Sequence, residues 1–255
     1  MADKSFFIDT TKCTACRGCQ VACKQWNKLP ATKTLNWGSF QNPADLSFST
    51  FKLVRFREVV SGGKVKWYFF PDQCRHCLEP PCKDTAEGFV DGAVIQDEST
   101  GAVVYTGKTR MLSSSAFEEV RESCPYNIPR QDPGTGLVSK CTMCFDRVGN
   151  GLLPACVKAC PTGTMNFGDR GDMLDMANER VAALQKKGFK KAQLLDADSI
   201  RAIFLVVDDP SIYYKFSVAQ NDVGISRKLA LRKLFRPATG LITSVTKPVS
   251  YTHLR

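Results

Sequence analysis

The longest uninterrupted apolar run in this 255-residue chain is Ala202 to Val207, where a membrane-spanning helix needs about 20 residues. No transmembrane segment is therefore expected. Met1 to Thr10 lacks the apolar core of a signal peptide, and Phe6-Phe7-Ile8 reads instead as a short strand. The chain by itself reads as soluble and unexported, unless a partner carries it across a membrane. Histidine is scarce, at two residues. His76 reads as a structural hydrogen-bonder, and His253 has no evident partner. No nucleophile–base pair, glycine-rich phosphate loop or open metal site appears, so this polypeptide is not expected to perform substrate chemistry itself. Acid is missing from residues 223–255, which hold seven of the chain's net ten positive charges. No nucleic-acid recognition motif accompanies that charge. Its apolar residues form no clean helical stripe for a membrane surface, so the segment reads as a basic extension strapped onto a partner subunit.

Cysteine is what the chain does have. Its twelve cysteines fall at 13, 16, 19, 23, then 74, 77, 82, then 124, then 141, 144, 156, 160, and none follows Gly168. A disulfide framework fits poorly, because the C-x2-C pairs recur and a chain of this length needs no staples. A structural zinc site, and with it a zinc-stapled interaction scaffold, remains a reading of a different class. The run Cys13 to Cys23 has the spacing C-x2-C-x2-C-x3-C, tighter than zinc fingers use. Cys124-Pro125 and Cys160-Pro161 repeat the ending of bacterial iron–sulfur runs. Iron–sulfur binding is the favoured reading.

Between the runs the pattern is mixed helix and strand. Lys4 to Asp9 reads as a strand. Asn27 to Thr50 reads as a long polar excursion. Phe51–Val60 and Lys64–Phe70 form a hairpin about Ser61-Gly62-Gly63. Ala93–Asp97 and Ala102–Thr106 form a second hairpin, and Ser113 to Ser123 a helix. A further helix is expected from an Asp172 cap to Lys187, closed by Gly188. Arg201 to Val207 reads as a buried strand, and Trp26 and Trp67 as core aromatics.

In the x2-x2-x3 run the fourth cysteine points away from the first three and belongs to a second cluster. If each outer run lends its last cysteine to the other, one cluster takes Cys13, Cys16, Cys19 and Cys160. Its neighbour takes Cys23, Cys141, Cys144 and Cys156. Cys74, Cys77, Cys82 and Cys124 close a third. All twelve are consumed, four to each of three [4Fe–4S] clusters.

Several stretches resemble the electron-transfer subunits of molybdenum- and tungsten-pterin oxidoreductases: Phe70-Pro71-Asp72-Gln73-Cys74-Arg75-His76-Cys77, Pro80-Pro81-Cys82, Cys124-Pro125-Tyr126 and Cys160-Pro161-Thr162-Gly163. Cys13 to Trp26 and Asn150 to Cys156 are most similar to the small subunit of soluble formate dehydrogenases. The resemblance implies an α+β fold of two bacterial-ferredoxin-like domains. The outer one spans 1–70 and 136–222, and the second, 71–135, is inserted into it; the basic tail, 223–255, stands outside. It also implies docking on a large molybdenum- or tungsten-bis-pterin catalytic subunit and export to the periplasm with that partner, the cytoplasm being the alternative. Electrons of formate/CO2 interconversion would pass through this chain to a soluble cytochrome c or ferredoxin. The same architecture serves oxidoreductases of sulfur, arsenic or nitrogen oxyanions. Family members with four clusters have cysteines where this chain has Ala86, Ser114, Phe117 and Val120, so a fourth site is expected to be lost as a unit. Arg17, Lys24 and Lys140, beside the runs, are candidates for tuning reduction potentials.

Overall fold

A computed structural model describes residues 3–220; the basic extension and His253 lie outside them. Along the chain run β1 (Lys4–Asp9), α1 (Gly18–Trp26), the hairpin β2 (Leu53–Ser61) and β3 (Lys64–Asp72), and α2 (Pro81–Glu87). A small hairpin, β4 (Val94–Gln96) and β5 (Val103–Tyr105), precedes α3 (Ser114–Glu122) and the short pair β6 (Arg130–Gln131) and β7 (Val138–Ser139). Single turns α4 (Phe145–Val148) and α5 (Ala155–Lys158) lead to β8 (Met165–Asp169), α6 (Arg170–Lys186), β9 (Gln193–Leu195), β10 (Ala202–Val206) and α7 (Pro210–Tyr213). The fold is α+β.

The main sheet has the order β8-β1-β10-β9. β1 pairs parallel with β10, Phe6 opposite Ala202 and Ile8 opposite Phe204, and antiparallel with β8. Because side chains alternate along a strand, β1 feeds two cores. Phe7 joins Leu205 against Met173, Ala177 and Leu184 of α6. Phe6 and Ile8 join Phe204 on the other face, in a cluster that also holds Cys19 and Cys156. β10 is buried at every residue, as a strand covered on both faces must be.

The β2–β3 hairpin turns through Gly62 and Gly63, both at positive φ, the geometry that a two-residue hairpin loop requires. Its base is buried and its tip exposed, so it projects as an arm. Residues from Cys82 to Val138 build an apolar cluster of their own beneath α2 and α3. α3 begins where its Ser113 cap accepts from the Ala116 N–H.

Two expectations are corrected. α6 begins at Arg170, with Asp169 as its N-cap; Asp172 falls inside the first turn, where its charge still favours the helix dipole. Trp26 and Trp67 are each 42% exposed. Trp26 carries the Arg147 guanidinium 4.2 Å over its ring and donates to Asp146, while Trp67 joins Phe40, Phe56 and Phe69 in an aromatic ladder on the arm.

Candidate metal centres

Three of the four C-x2-C loops, 13/16, 74/77 and 141/144, share one local geometry. In each, the residue before the second cysteine takes a positive φ without being glycine: Ala15, His76 and Met143. Such a conformation costs of order 1–3 kcal/mol at each position, and its effect is to turn an N–H onto sulfur. His76 N–H donates to Cys74 Sγ at 3.4 Å, and Met143 N–H to Cys141 Sγ at 3.4 Å. At Cys13, burial pushes the thiol up to about 11 against the opposing pull of the Ala15 N–H.

Cys13, Cys16, Cys19 and Cys160 line one cavity, with Pro71 and Met165 among its walls. Burial would raise Cys160, but the N–H groups of Met165, Thr162 and Thr164 and the Thr162 hydroxyl hold it below the ordinary thiol value. Cys74, Cys77, Cys82 and Cys124 line another cavity, walled by Pro80, Pro81, Tyr105, Tyr126 and Lys140. The remaining four also meet. Burial pushes the Cys23 thiol well up, and the charges of Cys141, Cys156 and Cys144 push it further.

The sets adjoin in series. Burial and then the charge of Cys74, from the 74/77/82/124 set, push Cys141 up to about 12. Cys156 is raised by burial and by Cys141 and Cys144, and also by Cys19 of the 13/16/19/160 set. The set containing Cys23 thus lies between the other two.

These surroundings fit iron–sulfur clusters. Buried thiols crowded by fours resist ionisation, so they become thiolates only around a polycationic core. Among the described residues no three or more His, Cys, Asp or Glu side chains are gathered closely enough to hold a single metal ion. Two of the sets line cavities, an arrangement that suits a polynuclear centre better than the tight tetrahedron of a structural zinc. Of the positions expected to have lost a fourth site, Ala86, Phe117 and Val120 are packed together with Cys82 in an apolar cluster; Ser114 is exposed at the start of α3.

Other side chains close the sites. His76 is fully buried; its Nδ1 accepts from Val103 N–H, while Nε2 has no partner. Burial drives its pKa well down, and Lys140 and Arg201 add to this, so the ring is neutral. The Tyr105 hydroxyl, also buried, makes no hydrogen bond of ordinary geometry, and it favours the charged form of Cys82 in the cavity it lines. Lys24 donates to Ser49 O, and Arg17 lies 5.4 Å from the Phe56 ring centre. Lys52 is buried beside the first two sets. Sequence reading passed over Tyr105 and Lys52, since neither stands next to a cysteine; the one available signal, a lysine at the mouth of an apolar strand, is common on surfaces.

The 4Fe-4S dicluster domain family matches residues 65–170. The formate dehydrogenase subunit beta of Megalodesulfovibrio gigas is 51% identical over 216 residues, covering 85% of this chain and 99% of its own length. The formate dehydrogenase 2 subunit beta (cytochrome c-553) of Nitratidesulfovibrio vulgaris is 52% identical over 215 residues, covering 84% and 98%. The formate dehydrogenase-O iron-sulfur subunit of Escherichia coli is 37% identical over 212 residues, covering 81% and 68%. With about half its residues shared along nearly the whole of two such relatives, the chain belongs to the iron–sulfur, or beta, subunits of the formate dehydrogenase family.

Proposed function

We propose that this electron-transfer subunit carries three [4Fe–4S] clusters in a line. The first is held by Cys13, Cys16, Cys19 and Cys160, the second by Cys23, Cys141, Cys144 and Cys156, and the third by Cys74, Cys77, Cys82 and Cys124. The observation that carries this reading is the gathering of all twelve cysteines into three sets of four, adjoining in series through Cys19/Cys156 and Cys74/Cys141. Bound there, each cluster takes up and passes on one electron. The protein's part is to hold the thiolates, exclude water and donate N–H groups to sulfur.

The first set opens to the surface at Cys16, which suits docking against a pterin-containing catalytic subunit that oxidises formate or reduces carbon dioxide. The third set is then the exit, since the packing of Ala86, Phe117 and Val120 leaves no room for a fourth. Residues 71–135 form an inserted ferredoxin-like module within an outer one. The separate apolar cluster from Cys82 to Val138 supports that division, as does a main sheet drawn from both sides of it. The cytochrome c-553 in one relative's name supports a soluble cytochrome c as the acceptor, with a ferredoxin as the other soluble carrier, and the periplasm as the compartment.

The test is iron and sulfide analysis of this chain, separated from its partner and purified without oxygen. About twelve irons per chain, three cubes of four, are expected; about sixteen, or about eight, would refute the reading. Reduction of cytochrome c by formate through the complex tests the acceptor.

A further inference from the structure

Two buried lysines occupy the gaps between the cysteine sets. Lys52 is 2% exposed. Its Nζ donates to Pro71 O at 2.8 Å and to Gln73 Oε1 at 2.8 Å, and contacts Met165 Sδ at 3.5 Å. Pro71 and Met165 are walls of the Cys13 cavity. Lys52 reaches both neighbours, favouring the charged forms of Cys13 and Cys19 on one side and of Cys23 and Cys156 on the other. Lys140 is 5% exposed, and its Nζ donates to Val103 O and Cys141 O. It lines the Cys74 cavity, lies 5.0 Å from the Tyr105 ring centre, and favours the charged forms of Cys82 and of Cys141.

Every acceptor on these two ammonium groups is uncharged, and among the described residues no carboxylate pairs with either. Three of the buried arginines differ: Arg55 and Arg75 share Asp72, and Arg201 pairs with Asp3; the fourth, Arg147, lies over the Trp26 ring and donates to Leu153 O. A lone ammonium held out of water is costly unless negative charge lies near it. Here that charge can come only from the cysteine sets. We propose that Lys52 and Lys140 are charge-compensating residues, one in each gap of the electron path, each stabilising the reduced state of the two clusters it separates. This rests on the three-cluster reading above. One-electron reduction adds one negative charge to a cluster and breaks no bond, so a fixed cation beside it raises the reduction potential. A cation between two clusters does so for both, and leaves the distant third alone.

The experiment is a redox titration with dithionite, followed by electron paramagnetic resonance, on the purified complex carrying Lys52→Gln or Lys140→Gln. Glutamine removes the charge and keeps a donor for the carbonyls. In Lys52→Gln the first and second clusters should shift to more negative potential while the third stays in place. In Lys140→Gln the second and third should shift while the first stays in place, and Lys→Arg at either position should restore the native values. Unchanged potentials, or equal shifts of all three clusters, would overturn the proposal. Should a glutamine variant lose iron, potentials are read on its loaded fraction and on Lys→Met; unshifted values there mean a structural peg and overturn it equally. Iron analysis of the wild-type chain, separated from its partner, separates the two levels. A count other than three clusters refutes the underlying reading, whereas three clusters with unmoved potentials refute only the role of the lysines.

Discussion

Cys19 and Cys23 lie one turn apart on α1, yet Cys19 lines the cavity of Cys13, Cys16 and Cys160 while Cys23 meets Cys141, Cys144 and Cys156. One short helix therefore supplies cysteines to two of the sets. Cys23→Ser should damage the centre built on Cys141, far along the chain, and spare the one built on Cys13, whose nearest cysteine, Cys19, is only four residues upstream. Mössbauer or paramagnetic resonance spectra of the variant check this, and an altered Cys13 centre beside an intact Cys141 centre would refute the crossed pairing.

Cys77→Ser addresses the exit. Formate should still reduce the first two clusters of that variant, while delivery to cytochrome c falls to background. Undiminished delivery would show that electrons leave elsewhere.

Asp72 is fully buried between Arg55 Nε, at 2.8 Å, and Arg75 Nη1, at 2.8 Å. Arg75 also lies over Phe70, Tyr126 and Phe204, fastening the base of the arm to the Cys74 loop. Asp72→Asn leaves the buried Arg75 without its carboxylate while Arg55 keeps Asp45, and removing one partner of a buried pair costs about 3–5 kcal/mol. Denaturant midpoints, followed by loss of cluster absorbance, measure it. A change below about 1 kcal/mol would show that the pair is replaceable.

Gly101 sits at positive φ, and a Cβ there would meet Arg201 Nε at 2.2 Å. Arg201 in turn donates to Cys77 O. Gly101→Ala should therefore strain the turn by of order 1–3 kcal/mol and also disturb the third centre. The expected sign is a lowered melting temperature with an altered spectrum of that centre alone.

Much of this was legible in the chain because it is local. The Gly62-Gly63 turn, the Ser113 cap and the apolar β10 announce themselves within a few residues, and the cysteine spacing divides by fours. What distance brings together was not legible. Lys52 reads as an ordinary surface lysine until Pro71, Gln73 and Met165 close over it. Trp26 and Trp67 read as core until Arg147 and the aromatic ladder are seen to hold them near the surface. The start of α6 slipped by three residues because Asp169 caps by backbone geometry while its carboxylate is engaged by Lys4.

Among the twelve cysteines, Cys16 alone is exposed. Thiolates at the surface are the ones that oxidants reach first. In the proposed arrangement a free chain thus meets oxygen first at the end where its partner would dock, and assembly itself becomes the seal. Iron should leave the unassembled subunit from that end first, and the order in which subunits meet and clusters are loaded decides how much of the protein survives in air.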